Sequence, residues 1–450
     1  MVEEESKSVD ATNFTLRGTM LEALLTTGIG VQRKTTEVSE ETLGMLQLLQ
    51  GTLITKANLD RMLVTNEKLL VAMVRQLVDV DMIRPATKLM KDVTSEEGRA
   101  ALPWKTIMTQ FTHEKVPNWW RPYTLGCLDK KGHTRLDVAI KNGDEEKALS
   151  FLTSPWGAFG CRRIRRDGRT ALMGAIEKKM KTVCMKMLEL FGADGCNAGS
   201  VETMRGETAL IRSCRFGLED VALELLEFGD DACRLNHVDN EGVTAFMHAC
   251  RSRLEAPALD MLAFGVDACK LNHANESGDT PLIVACMFEL NSVALKMLEF
   301  GADVCKLNNV GDDGHTALIS ACLMGLDQVV LEMLEFGAAA CKLNHVDEEG
   351  RTALITACMS SQDAVALKVL EFGAEACKLN HADEMGKTAL HHACNMRLGS
   401  VCLQILNFGA DACNLNHRTL YGHTALYFAK RRGLRNVVEA IRLLQQDRTV

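Results

Sequence analysis

One column of threonines constrains this chain more than any other feature. Thr134, Thr170, Thr208, Thr244, Thr280, Thr316, Thr352, Thr388 and Thr424 recur every 36 residues, with a single interval of 38 between Thr170 and Thr208. Each sits in one frame, fullest from Glu348 to Asp383: Gly-x-Thr-Ala-Leu-x-x-Ala-Cys, then Val-Ala-Leu-x-x-Leu-Glu-Phe-Gly-Ala, then Ala-Cys-Lys-Leu-Asn-His. A unit this short buries no core by itself, so its copies must stack. Nine copies dictate a solenoid in which each repeat touches its neighbours.

The frame has a physical reading at each position. The glycine two residues before each threonine (Gly132, Gly168, Gly206, Gly242, Gly278, Gly314, Gly350, Gly386, Gly422) fits a tight turn with positive φ. The threonine is placed to cap the helix that follows. Ala-Leu-x-x-Ala-Cys offers a small apolar face, so neighbouring helices can approach closely. A second helix is predicted to open around Val183, Val221, Val293, Val329, Val365, Val401 and Val437, with Pro257 in the same column, where a first turn tolerates it. Gly192, Gly229, Gly265, Gly301, Gly337, Gly373 and Gly409 are expected to close it with a left-handed cap. Each unit is therefore helix–turn–helix plus a turn or hairpin.

The frame resembles the ankyrin repeat. Gly-x-Thr-Ala/Pro-Leu-x-x-Ala followed by Leu-x-x-Leu/Phe-Gly-Ala-Asp carries the likeness, and Thr280-Pro281-Leu282 and Thr388-Ala389-Leu390-His391 come nearest the family signature. The resemblance spans residues 127–450 and implies an all-α solenoid that binds other proteins. Two departures stand out. The period is 36 where the family's is about 33, and the extra residues align as Ala-Cys-Lys (Ala376-Cys377-Lys378), expected to lengthen the inter-repeat connection without altering the stack. The signature histidine is replaced by Ile211, Met247, Ile283, Ile319, Ile355 and Tyr427, which predicts apolar packing in place of a Thr–His network. Arg135 in the first repeat and Lys430-Arg431-Arg432 in the last predict charged end faces. Gly195–Ser200, with two additional residues, predicts a local irregularity.

Residues 1–126 stand outside the repeat. Met1–Asn13 is polar and acidic and reads as disordered. Helical spacing follows in Leu16–Leu25, Leu43–Ile54 and Leu59–Val80, and Thr94-Ser95-Glu96-Glu97 matches a capping box. Pro117 and Pro122 around Trp119-Trp120 predict an ordered elbow; the whole segment reads as a helical cap or a docking module. The start of the chain lacks the pattern of a secretory signal, and no apolar run reaches 18 residues. The 17 cysteines fall into repeat columns rather than a disulfide framework. A reduced, intracellular protein is expected, cytoplasmic or nuclear. A net charge of −8 argues against general nucleic-acid binding.

Cys233-x-x-x-His237 recurs as Cys269/His273, Cys341/His345, Cys377/His381 and Cys413/His417, with Asn309 replacing the histidine beside Cys305. One cysteine and one histidine per layer, with layers roughly 8–10 Å apart, fall short of the four converging ligands of a structural zinc site. Packing is the expected role, and no metal or cofactor is expected. A second column (Cys214, Cys250, Cys286, Cys322, Cys358, Cys394) reads as buried thiols. The basic clusters Arg162–Arg166 and Lys430–Arg432 read as a solvated loop and a cap face. Glu299, Glu335 and Glu371 form an acidic column expected to pair with lysines. Phosphate-loop, serine-hydrolase and zinc-protease motifs are missing from the sequence, so no enzyme is expected.

The function expected is that of a monomeric protein–protein interaction scaffold binding a partner along the concave face. The frame is scaffold and the variable positions recognise. One such column lies between the turn glycine and the threonine: Arg169, Glu207, Val243, Asp279, His315, Arg351, Lys387 and His423. Others follow Ala-Cys on the first helix: Arg215, Arg251, Met287, Leu323, Met359 and Asn395, then Phe216, Ser252, Phe288, Met324, Ser360 and Met396. In the family these places resemble turn tips and inner-helix positions that contact partners. Apolar character peaks at Met287, Phe288, Leu323 and Met324, an expected exposed patch. The other class of function is a substrate adaptor whose residues 1–126 dock to an enzyme such as a ubiquitin ligase, though no docking box is recognisable there.

Overall fold

The computed structural model describes residues 133–154 and 157–446. The expected N-terminal helices, capping box and elbow, the boundary at 126/127, Gly132 and Pro155-Trp156 all lie outside the described residues. The chain divides into two compact units between Ile164 and Arg165.

In the first unit, helices Arg135–Asn142 and Glu145–Leu152 pack as a pair, followed by the short helix Gly157–Arg162. Thr134 and Asp137 form a reciprocal capping box: the Asp137 N–H donates to Thr134 Oγ1 (3.0 Å) and the Thr134 N–H to Asp137 Oδ2 (2.9 Å). Among its described residues Leu136, Ala139, Ile140, Ala148, Leu152 and Cys161 are buried.

The second unit is a stack of helix pairs. First helices run Ala171–Glu177, Ala209–Phe216, Ala245–Arg251, Pro281–Met287, Ala317–Leu323, Ala353–Met359, Ala389–Met396 and Ala425–Arg432. Second helices run Lys181–Cys196, Glu219–Glu227, Glu255–Ala263, Asn291–Leu298, Asp327–Glu335, Asp363–Leu370, Gly399–Leu406 and Arg435–Gln446. First helices pack on first helices and second on second, so the core is a continuous slab of Leu, Ala, Val, Ile, Met and Cys. No strand forms among the described residues; isolated bridges at Val238–Thr244 and Ala382–Thr388 mark hairpins between repeats.

The threonine column caps as predicted except in the last two repeats, where Thr388 Oγ1 turns to His391 Nδ1 (2.8 Å) and Thr424 makes no side-chain cap bond. Thr170, Thr208, Thr244, Thr280, Thr316 and Thr352 each accept the N–H three residues on at 3.1–3.4 Å. These helices start inside the protein, where an unpaired N–H is costly, so the cap must be internal. The turn glycines are also required. Gly314 has φ +70°, and a Cβ there would lie 2.9 Å from the Glu348 nitrogen of the next hairpin.

Two expectations need correction. The glycines after the second helix have positive φ, but Gly265 (φ 95°, ψ −179°) and Gly229 (φ 91°, ψ 164°) hold the extended, glycine-only region rather than a left-handed cap. The helix has already ended one residue earlier, at Phe264 or Phe228. Nor do the extra residues merely lengthen a connection. They wind into a further turn, Asp230–Cys233 and Val266–Cys269, that buries its cysteine completely. Arg234, Lys270, Lys306, Lys342, Lys378 and Asn414 then take the left-handed conformation, with φ of 46–51°.

Ile211, Met247, Ile283, Ile319 and Ile355 are buried in place of the signature histidine, as expected. Tyr427 is not: it is 39% exposed and stacks on His423 with ring centroids 3.9 Å apart. The acidic column pairs with lysines at the surface, Glu299 with Lys296 (2.6 Å) and both Glu335 and Glu371 with Lys368 (3.2 and 3.3 Å). In the 38-residue interval, helix Lys181–Cys196 kinks at Gly192 and ends in a left-handed Asn197.

Candidate partner-binding face

Between consecutive repeats the chain makes a short hairpin whose tip is closed by a side-chain oxygen. Asp239 Oδ1 accepts the N–H groups of Glu241 (3.0 Å) and Val243 (2.8 Å), and Asp383 Oδ1 those of Met385 (3.0 Å) and Lys387 (2.7 Å). Asn275, Asp347 and Thr419 do the same for Asp279, Arg351 and His423. Most tips are tied to the next by a backbone bond: Asn240 N–H to Arg205 O (2.8 Å), Glu276 N–H to Glu241 O (3.1 Å), Asp312 N–H to Ser277 O (2.7 Å), Glu384 N–H to Glu349 O (3.1 Å). Variable side chains at the tips and on the adjoining first helices are thereby set in register, one layer per repeat.

The Cys-x-x-x-His column serves the same hairpins. His237, His273 and His345 place Nε2 at 2.7–2.9 Å from the carbonyl oxygens of Gly206, Gly242 and Gly314, each 31 residues upstream. Asn309 donates its Nδ2–H to Gly278 O at 2.6 Å in the same place. Imidazole and amide thus serve as the same N–H donor in these four repeats, whereas His381 Nε2 is buried without such a partner. The matching cysteines turn elsewhere, Cys269, Cys305 and Cys341 donating to the carbonyls of Met261, Met297 and Met333 at 2.9–3.0 Å.

The predicted recognition residues divide on burial. Arg169, Arg215, Phe216, Arg251, Asp279, Met287, Phe288, His315, Leu323, Arg351, Met359, Lys387, Asn395 and His423 are half-buried, and Met324 is 41% exposed. Glu207 and Val243 are each 1% exposed and offer no surface, which corrects the expectation for both. Glu207 is drawn inward by Arg212, itself 3% exposed, whose Nε donates to Glu207 Oε2 at 2.9 Å. A buried guanidinium without a carboxylate would be very costly, and Glu202 at 3.5 Å completes its compensation. Val243 spends its N–H on Asp239 and turns its apolar side chain into the core.

Several expected residues meet. His315 Nε2 and Arg351 NH2 are 3.1 Å apart, Arg432 NH2 reaches Asn395 Oδ1 at 2.9 Å, and the Arg215 guanidinium lies 4.6 Å over the Phe216 ring. Glu207, Arg215 and Arg251 come together in a half-open cavity of about 320 Å³, also lined by Met204, Arg205, Asp239 and His248. Met287, Phe288 and Leu323 lie half-sunk along and at the ends of the first helices, with Met324 more exposed beside them.

His248 and Asp239 were absent from the expected set. Nε2 of His248 sits 2.8 Å from Asp239 Oδ2, and His392 repeats the pairing with Asp383 at 2.7 Å. Burial alone would push both aspartates up, but the histidine and backbone N–H bonds outweigh it and leave both below the ordinary 3.8. The signal was present as a side-chain oxygen three residues before most turn glycines, a column that closes turns.

His315, Asp347 and Glu349 place ligand atoms within 4.8 Å of one another. Arg351 already fills their midst, with Nε 2.7 Å from Asp347 and NH2 2.7 Å from Glu349, so an entering cation would have to displace a guanidinium.

A further surface lies on the other helix of each repeat. Phe228, Phe264 and Phe336, at the ends of three of the second helices, are partly exposed.

Comparisons with known proteins bear on the repeat. Residues 282–380 and 329–416 match the family model for ankyrin repeats, in 3 copies. No curated protein matches the chain. Among solved structures it is similar to the ankyrin repeat domain of Bcl-3, a member of the IkappaB protein family (23% identity, TM-score 0.38, 53% of this chain and 99% of that one). It is similar also to the human ASB11 ankyrin repeat domain (22%, 0.38, 53% and 97%). A third likeness is to the Bdellovibrio bacteriovorus predatory endopeptidase Bd0816 in complex with its immunity protein Bd3460 (22%, 0.35, 44% and 96%). The matched copies share their turn glycines with the repeats on either side, and their threonine caps with those on the N-terminal side. Residues 282–416 of this chain are ankyrin repeats.

Proposed function

We propose that this protein is a non-catalytic interaction scaffold whose partner protein lies across the hairpin tips and first helices of the repeats, the face expected to be concave. Ankyrin repeats in general mediate protein–protein interaction. The observation that carries the reading is the division of labour within each repeat. Turn, cap and core positions are nearly invariant and buried, while the half-exposed positions at tips and first helices change from repeat to repeat: Arg251, Met287, Leu323, Met359 and Asn395 in one column. Rigid, in-register scaffolding under a variable surface is what selective recognition needs. Met287, Phe288, Leu323 and Met324 supply its apolar centre, with charged residues to either side. Among the described residues no helix is long and apolar enough to cross a membrane.

The test compares two variants of the full chain in affinity capture. Phe288→Ser with Met324→Ser alters the proposed face; Phe264→Ser with Phe336→Ser alters the second-helix surface. A partner held by the wild type and the second variant, but lost by the first at an unchanged melting temperature, is the expected result. A partner kept by the first variant and lost by the second contradicts the assignment.

A further inference from the structure

The cavity between the third and fourth repeats has a chemistry of its own. Its buried acceptors are already occupied. Glu207 takes Arg212 Nε at 2.9 Å and Arg215 NH2 at 3.1 Å, and Arg215 Nε also lies 2.7 Å from its other oxygen in a bent geometry. Asp239 spends Oδ1 on two backbone N–H groups and Oδ2 on His248. The donors are not used up. Arg251 makes no hydrogen bond or ion pair with any described residue, and only the electrostatic pull of Asp279 reaches it. Arg215 has N–H groups beyond those it gives Glu207, its plane held in place by Phe216. Arg205 stands exposed at the rim beside Met204. Glu241 is the one rim carboxylate, exposed and free to swing into solvent.

A half-buried hollow of about 320 Å³ whose buried carboxylates already face arginine, histidine or backbone donors, and whose guanidinium groups keep N–H donors open, is complementary to an acceptor-only group. We propose that it takes a carboxylate side chain from an acidic segment of the partner protein, held between Arg251 and Arg215. Guanidinium groups match a carboxylate through two parallel N–H bonds, and the Met204 side chain offers contact to the methylenes of a glutamate. The inference rests on the partner-binding face proposed above and adds the chemistry of one contact. Arg251 is the group most dependent on that contact, because no described residue hydrogen-bonds it and Asp279 reaches it only through its charge.

The test uses the full chain and a fluorescein-labelled peptide of alternating glutamate and alanine, with its glutamine counterpart as control. Fluorescence anisotropy should show saturable binding of the glutamate peptide and none of the glutamine peptide. Arg251→Gln should weaken binding by roughly tenfold or more, the loss of charge-assisted hydrogen bonds, with an unchanged melting temperature. Arg435→Gln, on the last helix, should leave it unaltered. Equal binding of both peptides, no binding at millimolar peptide, or equal effects of the two substitutions would overturn the proposal. Displacement by inorganic phosphate far more readily than by acetate would assign the hollow to phosphate and also overturn it. Any of these failures, with the Phe288/Met324 variant still losing its partner, removes the acidic contact and leaves the binding face standing.

Discussion

At the scale of single residues, the most consistent signal is the protonation state of buried groups. Sixteen cysteines fall among the described residues, and all are buried and outside any disulfide. Burial pushes the Cys214 thiol from its ordinary 9.0 up to about 12, and the Cys250, Cys286 and Cys322 thiols higher still. These thiols resist alkylation in the native state and become reactive on unfolding; rapid labelling of more than a few by iodoacetamide at neutral pH would contradict this burial. A pKa raised in the folded state means stability is intact below the unfolded value and is lost as pH climbs toward the folded one. Melting temperature should therefore fall steadily above pH 9. His391 gives the opposite dependence. Burial, aided by His417, lowers it from 6.5 to about 4, so unfolding takes up a proton between those values. Its contribution is present above pH 6.5 and disappears as pH falls through 4. His391→Ile, the residue found in four other repeats, should flatten that acid limb; an unchanged limb would show that other groups carry it.

At the scale of the element, the extra turn distinguishes these repeats. Lys270 holds φ 50° and ψ 51°, a left-handed conformation that costs a side chain about 1–2 kcal/mol. Lys270→Gly relieves that strain but frees the unfolded chain, so a net gain of up to about 1 kcal/mol is expected in thermal melts. Gly265→Ala should destabilise by about 1–3 kcal/mol, since its extended, positive-φ conformation is glycine's own. Equal effects of the two would contradict the backbone reading. The helices, their threonine caps and the turn glycines were legible in the sequence because they repeat and each has one local cause. The extra turn was not, because three residues per period say nothing of whether they extend or coil. Burying Cys269 beneath Met261 decides that, and it is a tertiary contact.

At the scale of the whole molecule, periodicity identified which positions vary but not which of them face outward. Val243 and Glu207 were indistinguishable by column from Asp279 and Arg351, and only the buried Arg212 explains why Glu207 turns in. Column membership likewise could not show that Arg215 and Arg251 share a hollow with His248, which depends on how two repeats nest. The variable tips and first helices are nonetheless set in register by the bonds between hairpins, and that register is the basis of the proposed function. Hydrogen–deuterium exchange of the full chain with and without its captured partner tests it most directly. Protection is predicted at the hairpin tips and the C-terminal halves of the first helices, including Arg251–Ser252, Met287–Phe288 and Leu323–Met324. Protection confined to the ends of the second helices, around Phe228, Phe264 and Phe336, would contradict it.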